Sequence, residues 1–588
     1  MRWLGLLLLV CAPVGAAELP AALILRGGRV WTLDADRPEA QAVAVRGDRI
    51  AVVGSDADVL AMRGPKTEVV DLGGRLLLPG FNDAHTHFEN ACDWAFQVAL
   101  YDANDPREIV ERVAAAARRV PKGFWIRGGD YGAYASWNAA ARNQPAPPLP
   151  TLALRDLDLV VPDHPLALRR ADGALLTNSL GLRLARWTKQ MPDPRGGRME
   201  RDPKTGELTG LLFGRSAERL VELIPPPSLE RKLVGARLVL QDFARYGITS
   251  IGDVARLDAA SEKALFHTHV ERSSTDLAIF RELQKRGELS VRVYAFLTLR
   301  LLAETAALGI KPRTDEGLLR FGALKSFVDG YLMEEPYASN KEYAGDFTFR
   351  FIDEKTMAAD IATADRAGFD PVVHTIGDKA HRLLLDWYEA AIRANPPRDR
   401  RFRVIHAEYP SPADVARIGR LKLIVDVTPS HLLRDVPAVE RRVGPERAKS
   451  AYPWQSLIRA GARLNLVSDM PGSFNEQELK PFDPIEIISQ AVLRASEQGA
   501  AWHPEERLSV EQAVLGYTAN PAYASHEEDR KGQLKPGLLA DLVVLSKDIL
   551  KLTPTEIRSA SVDLTILGGR ILYRREANPR QVTKGKVP

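Results

Sequence analysis

The sequence predicts an α/β chain folded as a (β/α)8 barrel of TIM type, with a small β-sandwich domain built from both chain ends. Three observations predict it. Eight short apolar runs between positions 76 and 467 alternate with long, partly helical segments, the rhythm of parallel strands joined by crossover helices. The two chain ends share a different texture, of short strands separated by Gly-Gly turns. Groups able to bind a metal, or to be modified to do so, recur at or near the ends of five of the eight runs, and barrel active sites sit at the C-terminal ends of the strands. No Gly-rich phosphate loop follows the first run, which argues against an open doubly wound sheet.

Residues 1–17 read as a signal peptide. Arg2 supplies the positive end, Leu4-Gly5-Leu6-Leu7-Leu8-Leu9-Val10 begins the apolar core, and Gly15, Ala16 and Ala17 offer a cleavage site. The apolar stretch is too short to span a bilayer. The expectation is therefore an exported protein, periplasmic or secreted, with no stable membrane insertion once the leader is removed. Cleavage leaves Cys92 as the sole cysteine, which excludes an internal disulfide and a thiolate metal cluster. The chain has 45% hydrophobic and 27% charged residues, the balance of a soluble globular protein. A net charge of +4 over 588 residues gives no case for a nucleic-acid partner. A homo-oligomer is left open.

Residues 18–75 form the first part of the sandwich. Leu23-Ile24-Leu25 leads to Gly27-Gly28, and Ala42–Val45 and Ile50–Val53 flank a hairpin turn at Gly47-Asp48. Residues 531–588 form the second part and a tail. There Ala540–Leu545 follows Pro536-Gly537, and Leu564–Leu567 and Arg570–Tyr573 flank Gly568-Gly569. The barrel takes residues 76–530. An excursion at about 100–230 interrupts it, with a helix at Pro106–Arg119 and strands at Phe124–Asp130 and Leu166–Arg169. This excursion is placed to form a lid or a pocket wall. The eight barrel runs are Leu76–Phe81, Ile248–Gly252, Val291–Leu297, Gly322–Val328, Pro371–His374, Phe402–His406, Leu421–Val427 and Arg463–Val467.

The first run leads into His85-Thr86-His87. In a strand, residues two apart share a face, so both imidazoles can hold one ion. A second pair, His267-Thr268-His269, lies among charges and helix formers and reads as a solvated helix face. Lys325 lies in the fourth run, His374 and His406 end the fifth and sixth, and Asp469 follows the eighth. Each has a commoner bland reading. A single strand-end His is usually hydrogen-bonded core, an Asp there is usually a turn or helix cap, and a Lys in an apolar strand usually snorkels. Their joint occurrence, in order on successive strand ends, decides for a metal site.

The chemistry needs this set. Imidazoles and a carboxylate suit zinc or a similar divalent ion, with Mn, Fe and Co left open. Two such ions can share and activate a water. Asp469 can bind metal, take the proton of the attacking water and pass it to the leaving nitrogen. A buried Lys325 can lose its charge, and its neutral amine can react with carbon dioxide to give a bridging carbamate.

Seven stretches carry a family resemblance: Leu78–His87, Leu324–Gly330, His374–Ala380, Arg403–Glu408, Ala451–Trp454, Gly461–Asp469 and Leu534–Leu542. Together they resemble the amidohydrolase superfamily, and within it the YtcJ-like branch of amidohydrolase family 3, which includes N-substituted formamide deformylases. The resemblance covers almost all of the mature chain. It implies that His85 and His87 bind a first metal and His374 and His406 a second. It also implies that Lys325 is the carbamylated bridge and Asp469 the metal-bound acid/base. The implied activity is metal-dependent hydrolysis of a C–N amide-type bond in a small molecule of the N-acyl or N-formyl amine class. The alternatives are a deaminase or cyclic-amide hydrolase on the same barrel, or a non-catalytic binding or regulatory homologue. Two positions depart from the branch. Ala174 stands where a His is usual, and Thr428-Pro429 stands where Gln-Pro is usual; both are expected to face substrate. Asp378 either orients His374 or caps the next helix. Glu408 stands in the same relation to His406. Trp94, Trp137 and Tyr337 are candidates for an apolar pocket wall. His431 follows the seventh run and joins the substrate or supporting candidates, whereas His164, His381, His503 and His526 read as structural or surface residues.

Overall fold

The computed structural model describes residues 19–576 apart from 95–96, 101–102, 133–134, 136–144, 146, 226–227, 256–275, 330–353, 437–438, 441–443, 472–481 and 496–500. The leader, the His267/His269 pair, Trp137 and Tyr337 lie outside the described residues, as does the side chain of Trp94.

Eight parallel strands form the barrel. They are β1 (Phe81–Thr86), β2 (Ile248–Val254), β3 (Arg292–Thr298), β4 (Leu319–Phe327), β5 (Asp370–Thr375), β6 (Arg403–His406), β7 (Ile424–Val427) and β8 (Arg463–Leu466). Each strand pairs with its successor in parallel. The ring closes just beyond β8, where Asp469 N–H donates to the His85 carbonyl at 3.1 Å and His87 N–H to the Met470 carbonyl at 2.7 Å. The strands are buried on both faces, so their apolar residues follow no strict inside–outside alternation. Helices cover the outside, and local signals set their ends. Ser411 caps helix Pro412–Arg420 by accepting from Asp414 N–H, Pro412 opens it, and Val415 and Ile418 bury its inner face.

The run read as the first barrel strand divides at Pro79-Gly80. Leu76–Pro79 pairs antiparallel with Leu542–Leu545 and parallel with Arg29–Trp31. It therefore belongs to a six-stranded sheet made from both chain ends, and the barrel strand starts at Phe81. The hydrogen bonds record the change of sheet. Gly80 N–H donates to the Asp541 carbonyl at 2.9 Å, and Phe81 N–H donates to the Gly247 carbonyl at 3.0 Å. An apolar run in sequence cannot show which neighbour each residue takes. Gly80 is required for the close approach, because a Cβ there would lie 2.2 Å from Thr249 Oγ1. Gly80→Ala is expected to cost about 1–3 kcal/mol, the usual penalty of overpacking, read as a lower apparent melting temperature. An unchanged melting temperature would contradict the contact.

A second sheet, of four strands, holds Leu23–Arg26, Ala42–Arg46, Arg49–Gly54 and Glu68–Asp71. The Gly47-Asp48 hairpin forms as expected, with Ala42–Arg46 antiparallel to Arg49–Gly54. Leu25 and Val43 from this sheet share one buried cluster with Leu77, Val544 and Ile566 from the six-stranded sheet.

The excursion builds its own six-stranded sheet between Gln97 and Gly214. The predicted helix runs Pro106–Ala117, capped by Asp105, with Ile109, Val113 and Ala117 buried. These residues pack in a cluster that Val234 and Leu238 of the barrel helix Leu229–Arg245 also touch, so the excursion rests on the outside of the barrel. No helix among the described residues is long and apolar enough to cross a membrane.

Candidate metal centre

The seam between β1 and β8 places the first ligand candidates. His85 ends inside the barrel, and His87 follows one residue past the strand. Their Nε2 atoms both lie 3.3 Å from Asp469 Oδ1. The other oxygen of the same carboxylate faces a second imidazole pair, with His431 Nε2 at 3.4 Å and His406 Nε2 at 4.0 Å. Asp469 and His406 have backbone φ angles of 57° and 74°. That left-handed conformation is uncommon for a residue with a side chain, and it clusters at functional sites. His406 is the last residue of β6, and Asp469 lies three residues past β8.

The outer nitrogens of these imidazoles are also placed. His406 Nδ1 lies 3.0 Å from Thr428 Oγ1, and His431 Nδ1 lies 2.9 Å from Glu408 Oε1. Lys325, on β4, brings Nζ to 3.2 Å from His85 Nε2. His374, at the end of β5, stacks edge-on against His406 with ring centroids 4.5 Å apart. Of the predicted set, His85, His87, Lys325, His374, His406 and Asp469 thus meet at one end of the barrel.

Burial shapes the charges. It pushes the Lys325 ammonium down to about 7, against the pull of the Asp469 and Asp426 carboxylates. It also keeps His85 and His406 neutral, well below the usual imidazole range, helped by Lys325 for the first and His374 for the second. Burial opposes ionisation of Asp469, yet His431, His85 and His87 around it hold its carboxyl well below the usual range. The result is an anion faced by the neutral imidazoles of His85 and His406.

Three further carboxylates, not singled out in the sequence, hold the segments that carry the candidate ligands. Asp83 Oδ1 accepts from Ser468 N–H at 3.1 Å, tying β1 to the residue before Asp469. Asp253 Oδ1 accepts from the Thr86 hydroxyl at 2.8 Å and from Phe88 N–H at 2.7 Å, one bond on each side of His87. Asp329 accepts from Ile376 N–H at 2.9 Å and Gly377 N–H at 2.7 Å, fixing the turn after His374. Asp83 shares a strand face with His85, and Asp329 follows Lys325 by four residues, a weak signal in sequence, whereas no spacing ties Asp253 to a candidate. Beneath the ligands lies a buried polar layer. Arg403 donates to Asp426 at 3.0 Å and to the Ala84 carbonyl at 2.7 Å, and Asn465 donates to Asp426 at 2.7 Å.

The remaining candidates fall out as follows. Asp378 lies in the first turn of helix Asp378–Ala394, where its Oδ2 meets Arg447 at 3.2 Å. Thr428 bonds His406, and Ala174 is buried in the apolar core of the excursion. The departure at 428 therefore falls on the partner of His406, and the one at 174 on excursion packing. Glu408 supports His431, where sequence reasoning paired it with His406.

The donor set fits a divalent ion. His85, His87 and Asp469 offer ligand atoms within 4.8 Å of one another, and so do His406, Glu408 and His431. Both Asp469 oxygens are buried with no hydrogen-bond partner among the described residues, a costly arrangement unless a cation completes it. Nitrogen and oxygen donors of this kind suit zinc and its first-row neighbours.

Comparison with known proteins agrees with this geometry. A model of the amidohydrolase family matches residues 68–573. The chain is 31% identical to the protein LONG AFTER FAR-RED 3 of Arabidopsis thaliana, over 95% of this chain and 92% of that one. It is 28% identical to the putative amidohydrolase YtcJ of Bacillus subtilis, over 94% of this chain and 99% of that one. It is 29% identical to the N-substituted formamide deformylase of Arthrobacter pascens, over 94% and 98%. A crystal structure of an uncharacterized metal-dependent hydrolase from Pyrococcus furiosus superposes with a TM-score of 0.63 at 25% identity, over 90% of this chain and all of that one.

Proposed function

The chain belongs to the amidohydrolase family, and from that premise we propose that it is a metal-dependent hydrolase cleaving a C–N amide-type bond of an N-acyl or N-formyl amine. One observation carries the reading: a single buried carboxylate, Asp469, stands between two pairs of imidazole Nε2 atoms. The formyl and acyl amine class is supported by the likeness to the Arthrobacter deformylase.

His85, His87 and Asp469 would hold one ion, and His374 and His406 a second. When bound, such ions supply Lewis acidity and bring water within reach of deprotonation near neutral pH. The chain's own residues do the rest. Asp469, anionic in its ring of imidazoles, takes a proton from the attacking water. It then delivers that proton to the departing nitrogen, so one carboxylate serves as base and then as acid. Lys325, held near neutrality by burial, presents the unprotonated amine that carbamate formation needs. Thr428 holds the His406 ring through Nδ1 so that Nε2 faces inward.

We read the two end sheets, with their shared core, as a small β-sandwich. We read Arg2 and the apolar segment after it as a leader for export to the periplasm or the outside of the cell.

The test is metal content per chain for the parent and for Lys325→Ala, with hydrolysis of a panel of N-formyl and N-acyl amines by the same samples. The expected parent holds two divalent ions. The variant is expected to lose metal and about 10²–10³-fold in turnover, the scale of removing one electrostatic contact at the reacting centre. One ion per chain, unaffected by the substitution, would dismiss the bridge. No ion after reconstitution with zinc or manganese would replace hydrolysis by a binding role.

A further inference from the structure

We infer that His431 is a metal ligand of the second position, and that Glu408 is the residue that aims it. The inference rests on the metal-dependent reading above and changes its ligand set. Three observations carry it.

The first is direction. His431 is completely buried, and its Nε2 lies 3.4 Å from Asp469 Oδ2, nearer than the 4.0 Å of His406 Nε2. The Asp469 carboxylate thus has the same surroundings at both ends, a pair of Nε2 atoms to each oxygen. If one end holds an ion between His85, His87 and Oδ1, the matching end offers His406, His431 and Oδ2.

The second is the tautomer. Glu408 Oε1 lies 2.9 Å from His431 Nδ1, and both side chains are buried. A carboxylate accepts only, so Nδ1 carries the proton and the Nε2 lone pair is left to point at the centre. A carboxylate behind an imidazole is the usual support of a metal-ligating histidine, where it fixes the ring and raises its basicity.

The third is placement. His431 lies in the first turn of helix Pro429–Asp435, directly after β7, and its ring stacks on that of His406 with centroids 4.9 Å apart. Thr428, which opens that helix as its N-cap, holds His406. The β7 end therefore supplies one second-position candidate, His431, and the partner of another.

Glu408 is a positioning residue in this scheme, not a ligand. Its removal weakens one ion without touching the other. A substitute that can still accept the Nδ1 proton does less harm.

The test uses the full mature chain loaded with zinc. Metal per chain is measured together with the zinc affinity of each ion against a chromophoric chelator, and cobalt-substituted samples report nitrogen ligation by visible absorption. His431→Ala is expected to fall from two ions to one, with the remaining ion as tight as in the parent. Glu408→Ala is expected to weaken one ion by about 10–100-fold, the scale for losing such a supporting group, and Glu408→Gln by less. His431→Gly is expected to regain the second ion when free imidazole is added, which a folding defect would not produce. Where circular dichroism shows that His431→Ala fails to fold, His431→Gln replaces it, with the same loss of one ion expected. A two-ion parent whose folded His431 variants keep both ions at parental affinity overturns the inference and leaves the hydrolase reading intact. A parent that binds no metal overturns the hydrolase reading itself, and this ligand assignment with it.

Discussion

Asp469→Asn lowers the turnover of any hydrolysed N-acyl or N-formyl amine by about 10⁴-fold, the upper range for loss of a general acid–base group. Asparagine keeps the shape of the side chain and one carbonyl oxygen, so the barrel closure through Asp469 N–H and the His85 carbonyl persists. What disappears is the proton acceptor and the negative charge that His85, His87, His406 and His431 surround. Metal content separates the two losses. A variant that retains metal but not turnover isolates the proton transfer. One that loses metal too shows that the charge holds the centre together. A variant within tenfold of the parent in turnover would remove Asp469 from the chemistry.

The second large effect is on stability. Arg403→Met is expected to destabilise the chain by about 3–5 kcal/mol, the cost of leaving one partner of a buried ion pair alone. Arg403 and Asp426 are both buried, and the guanidinium also holds the Ala84 carbonyl, the residue before His85. In the parent, burial already raises the Asp426 carboxyl, and Arg403 and Asn465 oppose that rise. Without Arg403 it rises further above its unfolded value, so the folded state holds the extra proton. Stability then falls as pH increases through that range. The deficit should therefore be larger at neutral pH than in mild acid, read as the shift in denaturant midpoint between parent and variant. Arg403→Met/Asp426→Leu should recover most of the loss, because an apolar pair in place of a buried ion pair is often neutral. A single variant as stable as the parent at every pH would show that the pair is not coupled to folding.

The barrel was legible because parallel strands covered on both faces leave apolar-rich runs, and seven of the eight fall on the observed strands, whereas the first shares only Phe81 with β1. The exception is instructive. Leu76 to Phe81 is apolar throughout, yet the chain changes sheets inside it, since a run records burial and not the identity of the neighbour. The candidate ligands were legible because β1, β5 and β6 each carry a histidine at or near the strand end and Asp469 follows β8. The role of His431 was not, because it comes from a short helix after β7 and its direction is set by Glu408, a contact across 23 residues. Asp83, Asp253 and Asp329 escaped for a similar reason. A carboxylate that satisfies backbone N–H groups looks in sequence like any turn aspartate.

The seam between β1 and β8 has a consequence for how the protein is made. Asp83 and Ser468, which bind each other there, are separated by 385 residues. The histidine pair therefore leaves the ribosome long before its carboxylate does, and the loop that joins them is the longest in the barrel and the slowest to close. An ion captured by the complete centre is captured by a finished chain. Metal uptake during refolding should accordingly lag behind helix formation and coincide with the last cooperative step, making it a direct clock for barrel closure.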